Sequence, residues 1–138
     1  MKVKDFMTKN VKFITTSTTL KEAATLMLER DVGSLPVGEN DRLVGVITDR
    51  DITIRSTAKG QNPQSITVKD VMTPKCLYCF EEDTIEEAAS NMGKNKIRRL
   101  PVLSQDKRLV GIISLGDISL KGTKQATGEA LFAISRKA

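Results

Sequence analysis

Histidine and tryptophan are absent from this chain of 138 residues, and aromatic residues make up only 4%. Without imidazole there is no histidine acid–base catalysis, no Ser-His-Asp or Cys-His nucleophile, and no metal site that needs a ring nitrogen. So few aromatics leave the core to Val, Ile, Leu, Met and Ala. No apolar run reaches the roughly 20 residues that cross a bilayer. The opening MKVKDFMTKN also lacks the apolar stretch of a secretory signal. The expectation is a cytoplasmic protein with no membrane partner. Cysteine is scarce, with only Cys76 and Cys79. A structural zinc site needs four ligands, and nothing else here completes one. A thioredoxin-type pair opens a helix after a strand, whereas Cys-Leu-Tyr-Cys-Phe reads as a strand. The pair is therefore read as reduced and structural, in a reducing compartment.

What is present is an ordinary globular balance, 39% hydrophobic and 28% charged, enough for one compact domain or two very small ones. Lys and Arg number 22 against 17 Asp and Glu, a net charge of +5. That charge attracts anions such as nucleotides, nucleic acid or an acidic surface, or it is a solvated surface with no specific partner. The basic residues are spread along the chain and stacking aromatics are few, which argues against nucleic acid. There is no nucleophile–base pair, no G-x-x-x-x-G-K-[ST] loop and no metal cluster, so no enzyme is expected.

The chain repeats itself. Val3-Lys4-Asp5-Phe6-Met7-Thr8 matches Val68-Lys69-Asp70-Val71-Met72-Thr73, Leu20–Ala24 matches Ile85–Ala89, and Leu35-Pro36-Val37 matches Leu100-Pro101-Val102, all offset by 65. Arg42–Thr48 then matches Arg108–Ser114, and Asp51-Ile52 matches Asp117-Ile118, offset by 66. The extra residue falls between Val102 and Arg108, where a turn absorbs it; inside a strand it would flip every side chain. Each unit reads β-α-β-β-α. A short extended segment (Val11–Ile14 in the first) precedes a helix whose apolar face is Leu20, Ala23, Ala24, Met27 and Leu28, or Ile85, Ala88, Ala89 and Met92. Thr19 with Glu22, and Thr84 with Glu87, make capping boxes. Two apolar runs, Ser34–Val37 and Leu43–Ile47, flank a polar turn and predict a hairpin, and a second helix starts near Asp49. One unit is too small to bury its own sheet, and two together give an adequate core. The expected division is residues 1–58 and 67–122 as the two repeats, 59–66 as linker, and 123–138 as a helical tail that caps the core or packs on a second subunit.

One motif carries chemistry. Gly45-Val46-Ile47-Thr48-Asp49-Arg50-Asp51 and Gly111-Ile112-Ile113-Ser114-Leu115-Gly116-Asp117 share a glycine, two aliphatics, a hydroxyl residue and, three positions on, Asp. At a helix start, free N–H groups favour an anion. The hydroxyl can bond a phosphate oxygen, and the carboxylate can take both hydroxyls of a ribose. The alternative is plain helix capping, since the same spacing nearly makes a capping box.

These residues together, with Gly33-Ser34-Leu35-Pro36-Val37 and the second copies of each motif, resemble a tandem cystathionine-beta-synthase (CBS) domain pair, or Bateman module, from Val3 to about Lys121. The resemblance implies an α/β (α+β) fold of two pseudo-symmetric repeats packed through their sheets, with a C-terminal helix added. It implies two clefts for an adenosine ligand (AMP, ADP or ATP, with S-adenosylmethionine or NAD ranked behind) and no obligatory cofactor. One cleft would use Val32, Gly33 and Ser34 with Ser114 and Asp117; the other Ile97, Arg98 and Arg99 with Thr48 and Asp51. Backbone near Met7–Lys12 and Thr73–Leu77 would line the base pockets. Arg98 and Arg99 match positions that contact phosphate, while Gly33-Ser34 offers no such charge. The Asp117 cleft sets the base beside small Gly33 and Ser34 with Arg99 available for phosphate, whereas the Asp51 cleft would crowd the base with two long arginines, so a single site centred on Asp117 is preferred. The resemblance further implies a regulatory role, a homodimer formed around Ile52, Ile54, Ile118, Leu120 and the tail, and an effector protein. The alternative is an interaction module with no nucleotide.

Overall fold

The computed structural model describes residues 1–11, 13–40, 42–74, 77–121 and 124–136. Two helices carry the sequence pattern most directly. Helix α1 spans Leu20–Arg30, and at its start the Glu22 N–H donates to Thr19 Oγ1 at 3.2 Å. Helix α4 spans Ile85–Asn95, with the Glu87 N–H donating to Thr84 Oγ1 at 3.1 Å. Both predicted N-caps form, and the glutamate of each accepts from the threonine hydroxyl, at 3.0 and 3.2 Å, in place of the backbone N–H of a full capping box. Both helices end on a non-glycine residue in the left-handed region, Asp31 at φ 54° and Lys96 at φ 54°.

Their buried faces differ. Helix α4 buries Ile85, Ala88, Ala89, Met92 and also Gly93. Helix α1 buries Leu20, Ala23 and Met27, but the expected Ala24 is exposed and Leu28 is 82% exposed; Leu26 packs on the core instead. The reason is helix α6 (Lys124–Ser135), which packs on α4. A Cβ on Gly93 would lie 3.1 Å from Ala133 Cβ, so glycine lets the two helices approach closely. Ala24 and Leu28, the counterparts of Ala89 and Gly93, have no such helix among the described residues of their unit.

Both predicted hairpins form. Strand β2 (Ser34–Glu39) pairs antiparallel with β3 (Arg42–Thr48), and β5 (Arg99–Leu103) pairs with β6 (Leu109–Ser114). Each ends on a seven-residue helix, α2 (Asp49–Arg55) and α5 (Leu115–Lys121). The extended segment expected at 11–14 is reduced to one parallel bridge, Ile14 to Val37, and Lys12 lies outside the described residues. In Cys-Leu-Tyr-Cys-Phe only Cys79–Phe80 form a strand, β4, parallel to β5; Cys76 lies outside the described residues.

The compact units do not follow the repeat boundaries. One unit is Lys12–Cys76; the other is Leu77–Ala138 together with Met1–Val11. The matched Val-Lys-Asp segments cause this exchange. Val3 and Phe6 are buried with Cys79, Ile85, Leu100 and Ile113, while Val68 and Val71 (in helix α3, Val68–Val71) are buried with Ile14, Leu20, Val37 and Ile47. Each segment thus completes the core of the other repeat's hairpin. In one unit the sheet order is β1-β6-β5-β4, with β1 being Thr8–Lys9. In the other, β2 and β3 are flanked by single bridges at Ile14 and Thr73, the same order reduced to its minimum.

The motif glycines make this possible. A Cβ on Gly111 would sit 2.6 Å from the Thr8 carbonyl oxygen, and one on Gly45 2.6 Å from that of Thr73. A glycine inside an apolar strand marks a close backbone approach of this kind. Among the described residues no helix is long and apolar enough to cross a membrane.

Candidate functional site

Within each unit, the hydroxyl–carboxylate turn and the residues preceding the Leu-Pro-Val strand meet at one end of the hairpin. In the Lys12–Cys76 unit, Ser34 pairs with Thr48 across β2 and β3, and the Asp49 N–H donates to the Gly33 carbonyl at 2.9 Å. Val32 precedes them, 37% exposed. In the other unit, Arg99 pairs with Ser114, and the Leu115 N–H donates to the Arg98 carbonyl at 2.8 Å. Arg98 and Arg99 are exposed, and Ile97 packs against the core. Each of the two clefts expected from the resemblance draws its residues from both units. Lys12 lies outside the described residues.

Both turns are complete capping boxes. The Thr48 N–H donates to Asp51 Oδ2 at 3.0 Å, and the Asp51 N–H returns to Thr48 Oγ1 at 3.0 Å. The Ser114 N–H donates to Asp117 Oδ2 at 2.9 Å, and the Asp117 N–H returns to Ser114 Oγ at 3.0 Å. Capping is thus the structural role of all four side chains. The chain itself already uses amide groups that the sequence reading offered to an anion, which moves the task of binding phosphate toward side chains. Capping does not exhaust the carboxylates. Each oxygen has two lone pairs, so Asp117 keeps Oδ1 and part of Oδ2 for further donors.

The two turns differ in their surroundings. Asp51 is 9% exposed, and its Oδ1 lies 3.8 Å from Arg55 Nε. Arg55 Nη1 donates to the carbonyls of Val71 at 3.1 Å and Met72 at 3.3 Å. Beside this turn stands a second carboxylate, Asp49, whose Oδ2 would meet a Cβ on Gly33 at 3.1 Å. At the matching positions the other turn has Leu115, which is buried, and Gly116. Asp117 is half-buried, and among the described residues no cation lies within ion-pair distance of it.

Arg55 and Asp49 were not singled out from the sequence. The signal for Arg55 was the opposite charge four residues after Asp51, a helical pair. Of the expected interface residues, Ile118 is fully buried in its own core and cannot meet a partner, and Ile52 packs on the core; Ile54 (51%), Leu120 (85%) and, on the tail, Leu131 and Phe132 are exposed. Cys79 is a buried free thiol. Burial, with a smaller contribution from Asp83, pushes it up to about 12, so it stays protonated and inert at neutral pH.

The description "CBS domain" fits residues 3–56 and again 68–121 in a comparison with protein-family models. The chain belongs to the CBS-domain family. It is 39% identical to the CBS domain-containing protein YhcV of Bacillus subtilis over 136 residues, covering 98% of this chain and 96% of that one. It is 38% identical to Hypoxic response protein 1 of Mycobacterium tuberculosis over 117 residues, 84% of this chain and 81% of the other. Two solved structures share its fold. Hypoxic Response Protein I, with two coordinated zinc ions, aligns at a TM-score of 0.80 and 35% identity, covering 89% of this chain and all of the other. The CBS domain pair of protein MJ0100, in complex with 5-methylthioadenosine and S-adenosyl-L-methionine, aligns at 0.78 and 28%, covering 87% and 98%. The mixed α/β architecture, with six α-helices and two sheets among the described residues, is that of a CBS pair.

Proposed function

We propose that this CBS pair is a regulatory module that binds an adenosine nucleotide of the AMP, ADP or ATP type and passes the binding on as a change in packing. Asp117 accepts the ribose hydroxyls. Ser114 and the guanidinium groups of Arg98 and Arg99 serve the phosphates. The observation that carries the reading is the Asp117 carboxylate in the first turn of α5, with no cation at ion-pair distance among the described residues, and Arg99 directly across the hairpin from Ser114. An Arg–phosphate contact is charge-assisted and contributes about 1.5–3 kcal/mol. The adenine side, assigned by the resemblance to Val32, Gly33 and Ser34, belongs to the other unit and rests on the resemblance alone. So does a weaker counterpart at Ile97, Arg98, Arg99, Thr48 and Asp51, and so does Lys12. That MJ0100 holds two adenosine compounds supports the ligand class. The zinc of Hypoxic Response Protein I is not carried over: this chain has no histidine, and no group of three metal-ligating side chains occurs among the described residues. A cytoplasmic setting, a homodimer and an effector protein belong to the same proposal. A ligand shifts such a module only by its differential affinity for two states.

The test is a thermal-shift panel with AMP, ADP, ATP, S-adenosylmethionine and NAD in phosphate-free buffer, on the wild type, Asp117→Ala and Arg99→Ala. A ligand at about 100 times its Kd adds about 2.7 kcal/mol, a shift of several degrees. The increment should vanish in Asp117→Ala and shrink for phosphate-bearing ligands in Arg99→Ala, a change that leaves the cap intact. No increment with any of the five compounds would point to an interaction module that binds no nucleotide.

A further inference from the structure

The two hydroxyl–carboxylate turns read alike in sequence, yet among the described residues only the first has a cation at ion-pair distance. Asp51 is nine-tenths buried, and a buried carboxylate needs a partner. Arg55 supplies it from one helical turn away, 3.8 Å from Oδ1. The arginine does not float there. Two carbonyls, of Val71 and Met72, hold its Nη1 at 3.1 and 3.3 Å. The residue at the same place in the second repeat is Lys121, which makes no ion pair with Asp117 among the described residues. Lysine is a flexible point charge and lacks the planar fork that can face a carboxylate and two carbonyls at once.

We infer that Arg55 is a specificity-determining residue: it occupies the Asp51 carboxylate from within the chain, closes the Thr48 turn to a ribose, and so limits the protein to one nucleotide, at Asp117. A ribose hydroxyl is a neutral donor, and at Asp51 Oδ1 it must compete with a guanidinium 3.8 Å away. Asp49 beside the same turn adds repulsion for any phosphate. The Ser114 turn has neither obstacle, since its neighbours are Leu115 and Gly116. This deepens the proposed function and rests on it.

The experiment is a calorimetric titration of the full chain with AMP, reading stoichiometry and affinity, with folding checked by circular dichroism. Three proteins are compared: the wild type, Arg55→Met, which keeps the apolar stem but loses the cation and its donors, and Lys121→Arg, a conservative surface change. The wild type should bind one AMP per chain. Arg55→Met should bind a second. Lys121→Arg should weaken the existing site about tenfold or more, the worth of one charge-assisted bond, because a guanidinium now competes for Asp117. A wild type that binds two, an Arg55→Met that still binds one, or an unchanged Lys121→Arg overturns the inference and leaves the nucleotide reading standing. If Arg55→Met fails to fold, Lys121→Arg decides alone. A wild type that binds none while Arg55→Met binds one supports the closing role and removes the reading at Asp117. No binding in either overturns both.

Discussion

Gly111→Ala tests the exchange of segments at its tightest point. The new Cβ would stand 2.6 Å from the Thr8 carbonyl oxygen, 2.7 Å from Met7 Sδ and 3.1 Å from Met7 Cγ. The methionine can swing away, but the carbonyl belongs to backbone paired with β6 through Thr8 to Ile112 and Lys9 to Gly111. Relieving the clash to an ordinary contact moves that backbone by more than half an ångström and breaks the pairing. A two-residue antiparallel pair carries about two ladder bonds, each worth about 1 kcal/mol. The cost is therefore about 2 kcal/mol, inside the range of about 1–3 for overpacking. At this chain length that lowers Tm by roughly 6–10 °C. Thermal unfolding followed by far-UV circular dichroism measures it, and hydrogen exchange should rise in residues 1–11. Gly128→Ala is the control: it lies within α6 with nothing within 4 Å of a new Cβ, so it should gain about 0.5–1 kcal/mol from lost glycine entropy. A Gly111→Ala protein that melts with the wild type would refute the close approach. So would a Gly128→Ala protein that falls equally far.

Two further outcomes follow from the ionisable groups. Lys2 and Lys4 donate to Glu82 and hold its carboxyl down at about 2 from an ordinary 4.5. Between these values the unfolded chain binds more protons, so this contribution is full above about pH 4.5 and is lost as pH falls toward about 2. Glu82→Gln should flatten the Tm-against-pH curve in that window at low salt, and high salt should erase the difference because all three side chains are exposed; an unchanged slope in the variant would count against the pairing. Cys79, pushed up to about 12 by burial, should resist iodoacetamide in the native chain at about pH 8 and react after unfolding in urea, as read by peptide mass spectrometry. Labelling of native Cys79 at the rate of a free thiol would show that it is not buried.

Local elements were legible where one signal determined them. Thr19 with Glu22 and Thr84 with Glu87 placed two helix starts, and the matched apolar runs placed both hairpins. The one-residue change of offset fell in the turn around Lys107, which takes φ 62°. The burial of α1 departs from its pattern at Ala24 and Leu28 because the repeats share a pattern but not a neighbour: α6 packs on α4 and α5, in the other unit. The exchange of Val3–Thr8 and Val68–Thr73 left no periodic trace, since a segment reads the same whichever hairpin it packs on. Gly45 and Gly111 were its only sequence mark, visible as glycines inside apolar strands. At the candidate site, Thr48, Asp51, Ser114 and Asp117 were found by spacing. That spacing serves capping as well as binding, and what separates the two turns is the placement of Arg55 and Asp49 beside Asp51.

The exchange also fixes an order of events during synthesis. The unit built from Lys12–Cys76 is continuous, so it has all of its core as soon as Val71 and the residues just after it leave the ribosome. The other unit is made from two stretches that lie on either side of the first. Val3 and Phe6 emerge before that first unit, yet their partners Ile85, Leu100, Ile113 and Ile118 are translated only after it. For most of elongation these two apolar side chains wait without a core, tethered to a neighbour that has already folded. Newly made chains of this protein therefore pass through a half-finished state with an apolar N-terminal arm, the kind of surface on which nascent chains associate wrongly and which chaperones cover.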